Sequence, residues 1–245
     1  MTSSSETCPH CGKRLEVRNF ALAGHMPIMV TMPCDCPEAK AEIEREEAEA
    51  ERAERIEAFG NAWRRVGIPQ MFAHVNADFE RVKPLFDGRW LYLYGDNGRG
   101  KTHAACQTAK AYLARNTYRM DGMMRCWKTC LFVTQQSLFS QLRASWDRWD
   151  QNEEDVFMRW AGVDLLILDD LGKGVPSEWA AENLFRLIDS RWSNGRLTVI
   201  TSQYDLNGLT ERYAKAGDET MSAMVSRLGG VCEQVLIDGR DRRTS

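Results

Sequence analysis

The sequence predicts an α/β fold, a parallel five-stranded sheet flanked by helices, preceded by a small cysteine-bearing module and a charged linker helix. Three observations predict it. From Trp90 onward, five short apolar runs alternate with helical patterns, and strands of that kind belong in a parallel sheet covered on both faces. The first of these runs stops at a glycine-rich loop that opens directly into a helix. Four of the eight cysteines crowd into the first 36 residues.

Taken in order, residues 1–36 read as irregular. Residues 37–58, "PEAKAEIEREEAEAERAERIEA", read as a highly charged helix in which Ile43 and Ile56 stand nearly alone. Without an apolar stripe, such a helix is a solvated spacer; a surface for a basic partner is the alternative. Gly67-Ile68-Pro69 breaks the chain. Strand "WLYLY" precedes helix "KTHAACQTAKAYLA", and strand "CLFVT" precedes helix "QQSLFSQLRASWDRW". Strand "VDLLILDD" leads to helix "SEWAAENLFRLIDSRW", which Asn194-Gly195 ends; strands "LTVITS" and "VCEQVLI" complete the set. The expected boundaries are 1–36 for the module, 37–62 for the linker and 63–245 for the α/β domain.

Composition narrows the function. The chain has 245 residues, 43% of them apolar, so a real core is affordable and global disorder is excluded. A net charge of −3 argues against a strongly basic wrapper of nucleic acid but leaves room for a local basic groove. No run of 18 apolar residues is present and the start "MTSSSETCPHCGKRL" has no apolar signal segment, so a cytoplasmic protein is expected.

The loop from Gly95 to Thr102 reads "GDNGRGKT", the pattern G-x-x-x-x-G-K-T between strand and helix. Gly95, Asp96, Asn97, Gly98, Arg99 and Gly100 can curl successive N–H groups around phosphate oxygens, with the helix N-terminus adding positive charge. Lys101 can reach the outer phosphates, Thr102 can ligate Mg²⁺, and His103 completes the stretch expected to touch nucleotide. The run "LLILDD" brings Asp169 and Asp170 to the C-terminal end of a buried strand, where ligands sit in open α/β sheets. Asp169 is expected to hold Mg²⁺ and Asp170 to orient and deprotonate the attacking water. Gln203, at the end of "LTVITSQ", could bond that water or the γ-phosphate; a plain loop residue is the alternative. Arg227, in "SAMVSRLGG", could stabilise a transferring phosphoryl group from a neighbouring subunit; a solvated arginine is the alternative.

The cysteine pairs Cys8-x2-Cys11 and Cys34-x-Cys36 suit tetrahedral Zn²⁺, with His10 or His25 able to replace one thiolate. Free thiols or a reversible disulfide are the alternatives. Cys106, Cys126, Cys130 and Cys232 read as ordinary core or surface residues. The stretch 115–128 interleaves basic residues with Tyr118 and Trp127, and the following helix offers Arg143 and Arg148 with Trp146 and Trp149. Both could contact single-stranded DNA; a solvated face with core-packed tryptophans is the alternative.

The segments "GDNGRGKTH", "LLILDDLG", "VITSQ" and "VSRL", in that order, resemble the DnaC/DnaI type of AAA+ ATPase within the IstB/DnaC-like ATP-binding family. The similarity covers about residues 63–243, including "RRVGIPQMF" and "VLIDGRDRR". The resemblance implies a replicative-helicase loader that binds ATP and Mg²⁺ and acts with a DnaB-type hexameric helicase and single-stranded DNA. It implies self-association on ATP or DNA, and an N-terminal zinc module that grips the helicase. By position it assigns Lys101 and Thr102 to Walker A, Asp169 and Asp170 to Walker B, Gln203 to sensor 1 and Arg227 to the arginine finger. Only 18 residues follow Arg227, so no C-terminal lid is expected. Two positions depart from the wider pattern: Asp170 stands where Glu is usual and Gln203 where Asn is usual. Each changes length by one methylene, so slow, DNA-stimulated hydrolysis is expected. An IstB-like transposition helper ATPase and an ATP-binding adaptor that hydrolyses little are the alternative readings.

Overall fold

The computed structural model describes residues 7–20, 27–145, 152–175, 177–213 and 218–238. The chain divides into two compact units, residues 1–56 and 57–245.

In the first unit, β1 (Val17–Phe20) and β2 (Ile28–Thr31) form an antiparallel ribbon where the sequence reads as irregular. Every residue of both strands is exposed, so no in–out alternation marks them in the sequence. The helix α1 (Pro37–Arg65) starts on its proline, whose missing N–H costs nothing at that position. Ala39 is its sole buried residue and Ile56 is 63% exposed. The helix runs past residue 58 because Phe59, Ala62 and Trp63 bring an apolar face, and the Trp63 indole N–H donates to the Ala73 carbonyl. Gly67, at φ +78°, follows its end.

The second unit continues with α2 (Lys83–Phe86), β3 (Trp90–Tyr94), α3 (Lys101–Arg115), β4 (Thr117–Met120), β5 (Met123–Cys126) and β6 (Cys130–Thr134). There follow α4 (Gln135–Ser145), α5 (Glu153–Ala161), β7 (Leu165–Leu171), α6 (Glu178–Ser193) and β8 (Leu197–Ser202), then α7 (Leu206–Tyr213), α8 (Asp218–Val231) and β9 (Cys232–Leu236). All five expected strands join one parallel sheet in the order β6-β7-β8-β3-β9. In the second unit the elements not anticipated are the 3-10 turn Gln70–Phe72, α2, the β4–β5 hairpin, α5 and α7.

The period of two along each strand sorts side chains into two cores. Leu91, Leu93, Leu165, Ile167 and Val199 face the alanine-rich α3, where Ala104, Ala105 and Ala109 permit close approach. Tyr92, Leu166, Leu168 and Ile200 face the other way, among residues of α4 to α8. Side-chain caps start two of those helices: Asn152 accepts from the Glu154 N–H for α5, and Ser177 from the Ala180 N–H for α6.

Arg191 on α6 is fully buried. It donates to the carbonyls of Trp160 and Ala161 at the end of α5, to that of Val163 just beyond it, to the Leu197 carbonyl and to Thr198 Oγ1. Burial pulls its pKa down to about 9, which leaves the guanidinium charged at neutral pH. Among the described residues no helix is long and apolar enough to cross a membrane.

Candidate functional site

The loop between β3 and α3 has the backbone its glycines predict. Gly95, Gly98 and Gly100 all take positive φ, at +138°, +81° and +91°. Gly95 is required by space as well, since a Cβ there would lie 2.6 Å from the Ile237 carbonyl oxygen. Lys101 is 7% exposed, and its ammonium donates to the carbonyls of Gly95 and Asp96, both at 2.8 Å. Within the loop, Asp96 and Arg99 pair at 3.6 Å, and the Asn97 amide donates to Gln203 Oε1 at 3.2 Å. His103, the third residue of α3, lies edge-on to Phe72 at 6.3 Å.

The carboxylates arrive through a break in strand pairing. β7 and β8 pair regularly up to Leu168 with Ile200, then resume at Leu171 with Ser202. Asp169 and Asp170 together oppose Thr201, a bulge, and Asp170 takes φ +58° to complete it. Asp169 is 4% exposed; burial above all raises its pKa, partly offset by the hydroxyls that hold it. Thr102 Oγ1 donates to Asp169 Oδ1 at 2.9 Å, and Thr201 Oγ1 donates to the same oxygen at 2.6 Å. The Asp170 N–H donates back to Thr201 Oγ1 at 2.9 Å, and the Asp170 carboxylate meets the Lys173 ammonium at 2.6 Å. A threonine hydroxyl beside a carboxylate is a set of hard oxygen donors that fits Mg²⁺.

The structure therefore brings together Lys101, Thr102, Asp169, Asp170, Asn97 and Gln203 around one sheet end. The expected residue outside this set is Arg227 on α8. It pairs with Asp189 of α6 at 2.9 Å and lies over the rings of Phe185 and Trp192. Thr201 is the member that sequence reasoning missed; its role is visible only once β7 and β8 are in register.

In the first unit, the ligand atoms of Cys8, Cys11, Cys34 and Cys36 all lie within 4.8 Å of one another. Cys8 and Cys36 sulfurs are 3.8 Å apart and Cys11 and Cys34 sulfurs 3.4 Å apart, too far for disulfides. They are close to the roughly 3.8 Å edge of a tetrahedron with 2.3 Å metal–sulfur bonds. Gly12, at φ +73°, turns the first pair, and its N–H donates to the Cys8 carbonyl. The Cys8 thiol is lowered to about 6, chiefly by the Cys11 backbone N–H, and Cys36 is raised to about 12. His10 is not among the four. Its Nε2 pairs with Glu42 at 2.7 Å, and that hydrogen bond raises its pKa. His25 lies outside the described residues, as do Trp146, Arg148 and Trp149; Arg143 lies over the Trp179 ring at 4.6 Å. Cys106, Cys130 and Cys232 are buried in the second unit.

A five-stranded parallel sheet with a phosphate loop after one strand and paired carboxylates at the end of another is the arrangement of a P-loop nucleotide-binding domain. The family of IstB-like ATP binding proteins matches residues 85–245, and the chain belongs to it. It is 23% identical over 201 residues to the replicative helicase loader DnaC of Escherichia coli (strain K12), across 74% of this chain and 75% of that protein. It is 31% identical over 132 residues to the ATP-binding protein of insertion sequence IS1162 from Pseudomonas fluorescens, 51% of each chain. The crystal structure of the DnaC helicase loader shares the fold at a TM-score of 0.54 and 21% identity, over 69% of this chain and 100% of that one. The structure of DnaI does so at 0.55 and 20% identity, over 72% and 95%.

Proposed function

We propose that this chain is an ATP-dependent loader of a replicative DNA helicase onto single-stranded DNA, acting in the cytoplasm. The observation that carries the reading is extent: similarity to a helicase loader runs through three-quarters of each chain, well beyond a phosphate loop alone. In this reading residues 1–36 dock the helicase, 37–62 link, and 63–245 bind and hydrolyse ATP.

The loop of Gly95, Asp96, Asn97, Gly98, Arg99 and Gly100 cradles the phosphates with its N–H groups. His103 flanks the site from the first turn of α3. Lys101 trades its two carbonyl partners for phosphate oxygens. Thr102 and Asp169 hold Mg²⁺, which supplies charge neutralisation on the outer phosphates when bound. Thr201 fixes Asp169 and the Asp170 backbone at once, and Asp170 orients and deprotonates the attacking water. Gln203, tied to the loop through Asn97, places that water from the other side. Arg227 acts on a neighbouring subunit's site, so the chain works as a homo-oligomer. Cys8, Cys11, Cys34 and Cys36 hold one structural zinc; four protein ligands close the metal to substrate, so it stabilises a docking module and does no chemistry.

A pull-down of the replicative helicase of the same organism by the full chain, with and without ATP, tests the reading. Capture that ATP modulates supports it. A chain that ignores the helicase but captures the transposase of an insertion sequence moves to the second reading, a transposition helper, which the local 31% identity favours.

A further inference from the structure

We infer that the outer face of the β4–β5 hairpin binds single-stranded nucleic acid, with Tyr118 as a base-stacking platform and Arg125 as a phosphate contact. The inference deepens the loader reading, on which it rests for the kind of ligand.

The hairpin turns tightly. Asp121 and Gly122 both take positive φ, +50° and +77°, the geometry of a two-residue hairpin turn. Pairing sets Tyr118 opposite Arg125 and Met120 opposite Met123, so these four share one face, with Trp127 two residues past Arg125 on the same side. The other face is the mount. Thr117 is fully buried and donates to the Leu113 carbonyl, and the Cys126 thiol donates to the same carbonyl.

A two-stranded ribbon normally shows polar groups to water on its free face. Here that face is aromatic, methionine and arginine. Tyr118 is 41% exposed and Met123 54%. Tyr118 and Trp127 stack at 6.1 Å, the Trp127 indole N–H donates to the Tyr118 carbonyl, and the Arg125 guanidinium lies 3.6 Å over the Trp127 ring. The rings are thus held in place before any ligand arrives, which limits the entropy lost on binding. The Arg125 guanidinium sits over an aromatic face, and a guanidinium so placed keeps N–H groups for phosphate oxygens.

Charge selects the occupant. Residues 115–128 carry Arg115, Arg119, Arg125 and Lys128 against the single acid Asp121, in a chain of net charge −3; Arg125 lies on the stacking face, Arg119 on the other, and Lys128 pairs with Asp164 at 3.2 Å. A flat ring beside an arginine, on a hairpin of net positive charge, matches an unpaired base beside its phosphate; duplex bases are stacked on each other and cannot reach Tyr118. The mount also matters. α3 runs from Lys101 of the phosphate loop to Arg115, about 22 Å for 15 residues, so one rigid helix joins the nucleotide to the hairpin.

The test is fluorescence anisotropy of a labelled oligothymidylate of roughly 20 nucleotides, longer than one site of this class, titrated with full chain and ATP. Tyr118→Ala should weaken binding about tenfold or more, while Tyr118→Phe keeps it, because the ring is what stacks. Arg125→Ala should weaken it and flatten the salt dependence by roughly one phosphate contact. Calorimetric ATP affinity should be unchanged in all three, and the matching duplex should bind less tightly than the single strand. If both alanine variants bind the oligonucleotide like the parent, the hairpin is not the site, and the loader reading stands. If the parent binds no oligonucleotide, the inference falls, and helicase capture decides the loader reading separately. If the alanine variants keep the oligonucleotide but lose the helicase, the face docks protein and the inference is overturned.

Discussion

The Thr201 hydroxyl donates to Asp169 Oδ1 at 2.6 Å while accepting the Asp170 N–H at 2.9 Å, so one buried side chain fixes two consecutive acids. Thr201→Val keeps the shape and removes both bonds. Loss of a hydrogen-bonded positioning group should lower the hydrolysis rate about tenfold or more, with ATP affinity nearly unchanged. Steady-state hydrolysis beside a calorimetric titration separates the two effects. A variant that hydrolyses like the parent removes Thr201 from the site.

Lys101→Ala removes the ammonium that rests on the Gly95 and Asp96 carbonyls. ATP affinity should fall at least tenfold, the scale of a charge-assisted contact worth roughly 1.5–3 kcal/mol. Unchanged affinity by calorimetry would remove the loop from nucleotide binding.

Gly95→Ala tests the backbone itself. At φ +138° and 2.6 Å from the Ile237 carbonyl, an added Cβ forces β9 or the loop to shift. A strained residue of this kind costs on the order of 1–3 kcal/mol, read as a lower melting temperature and weaker ATP binding together. A melting temperature equal to the parent's contradicts the packing described.

The four cysteines predict one equivalent of zinc by elemental analysis. Cys8→Ser with Cys11→Ser should lose it and unfold residues 7–36, leaving the melting transition of the ATP-binding unit in place. Strong chelation should do the same, because metal binding is the folding energy of a module with so small a core. A preparation without metal whose N-terminal unit remains ordered overturns the assignment.

Arg227 pairs with Asp189 within its own chain. If it also serves a neighbouring site, Arg227→Ala binds ATP normally and loses most DNA-stimulated hydrolysis. The loss should fall well short of the roughly 10³–10⁵ seen for the best arginine fingers, because Asp170 and Gln203 are one methylene off the usual lengths. Mixing it with Lys101→Ala should restore part of the activity. A mixture that co-assembles yet stays inactive contradicts a role in trans.

Four of the sheet strands were legible because β3, β6, β7 and β8 are mostly buried apolar runs bounded by turn residues; β9, at the sheet edge, is half exposed and was legible from its apolar residues alone. The ribbon of Val17–Phe20 with Ile28–Thr31 was not, since nothing buries either face. The second hairpin did carry a signal, Asp121-Gly122, but its flanking arginines and aromatics drew a reading by charge instead. Lys101, Thr102, Asp169 and Asp170 were legible from spacing, and the structure gathers them. Thr201 was not, because a threonine in a strand is ordinary until its neighbour's register is known. Sequence left His10 and Cys alternatives open; the Glu42 contact accounts for His10.

Arg191 has a consequence for cooperativity. Its guanidinium satisfies the last carbonyls of α5 and the start of β8 at once, with no carboxylate among those contacts. Opening any one of those segments would strand a desolvated cation, a penalty of several kcal/mol. The segments therefore have no inexpensive way to open singly. Amide hydrogens of Leu165 to Leu168 and Thr198 to Ile200 should exchange with deuterium together, at the rate of whole-unit unfolding, while those of the exposed first ribbon exchange ahead of them.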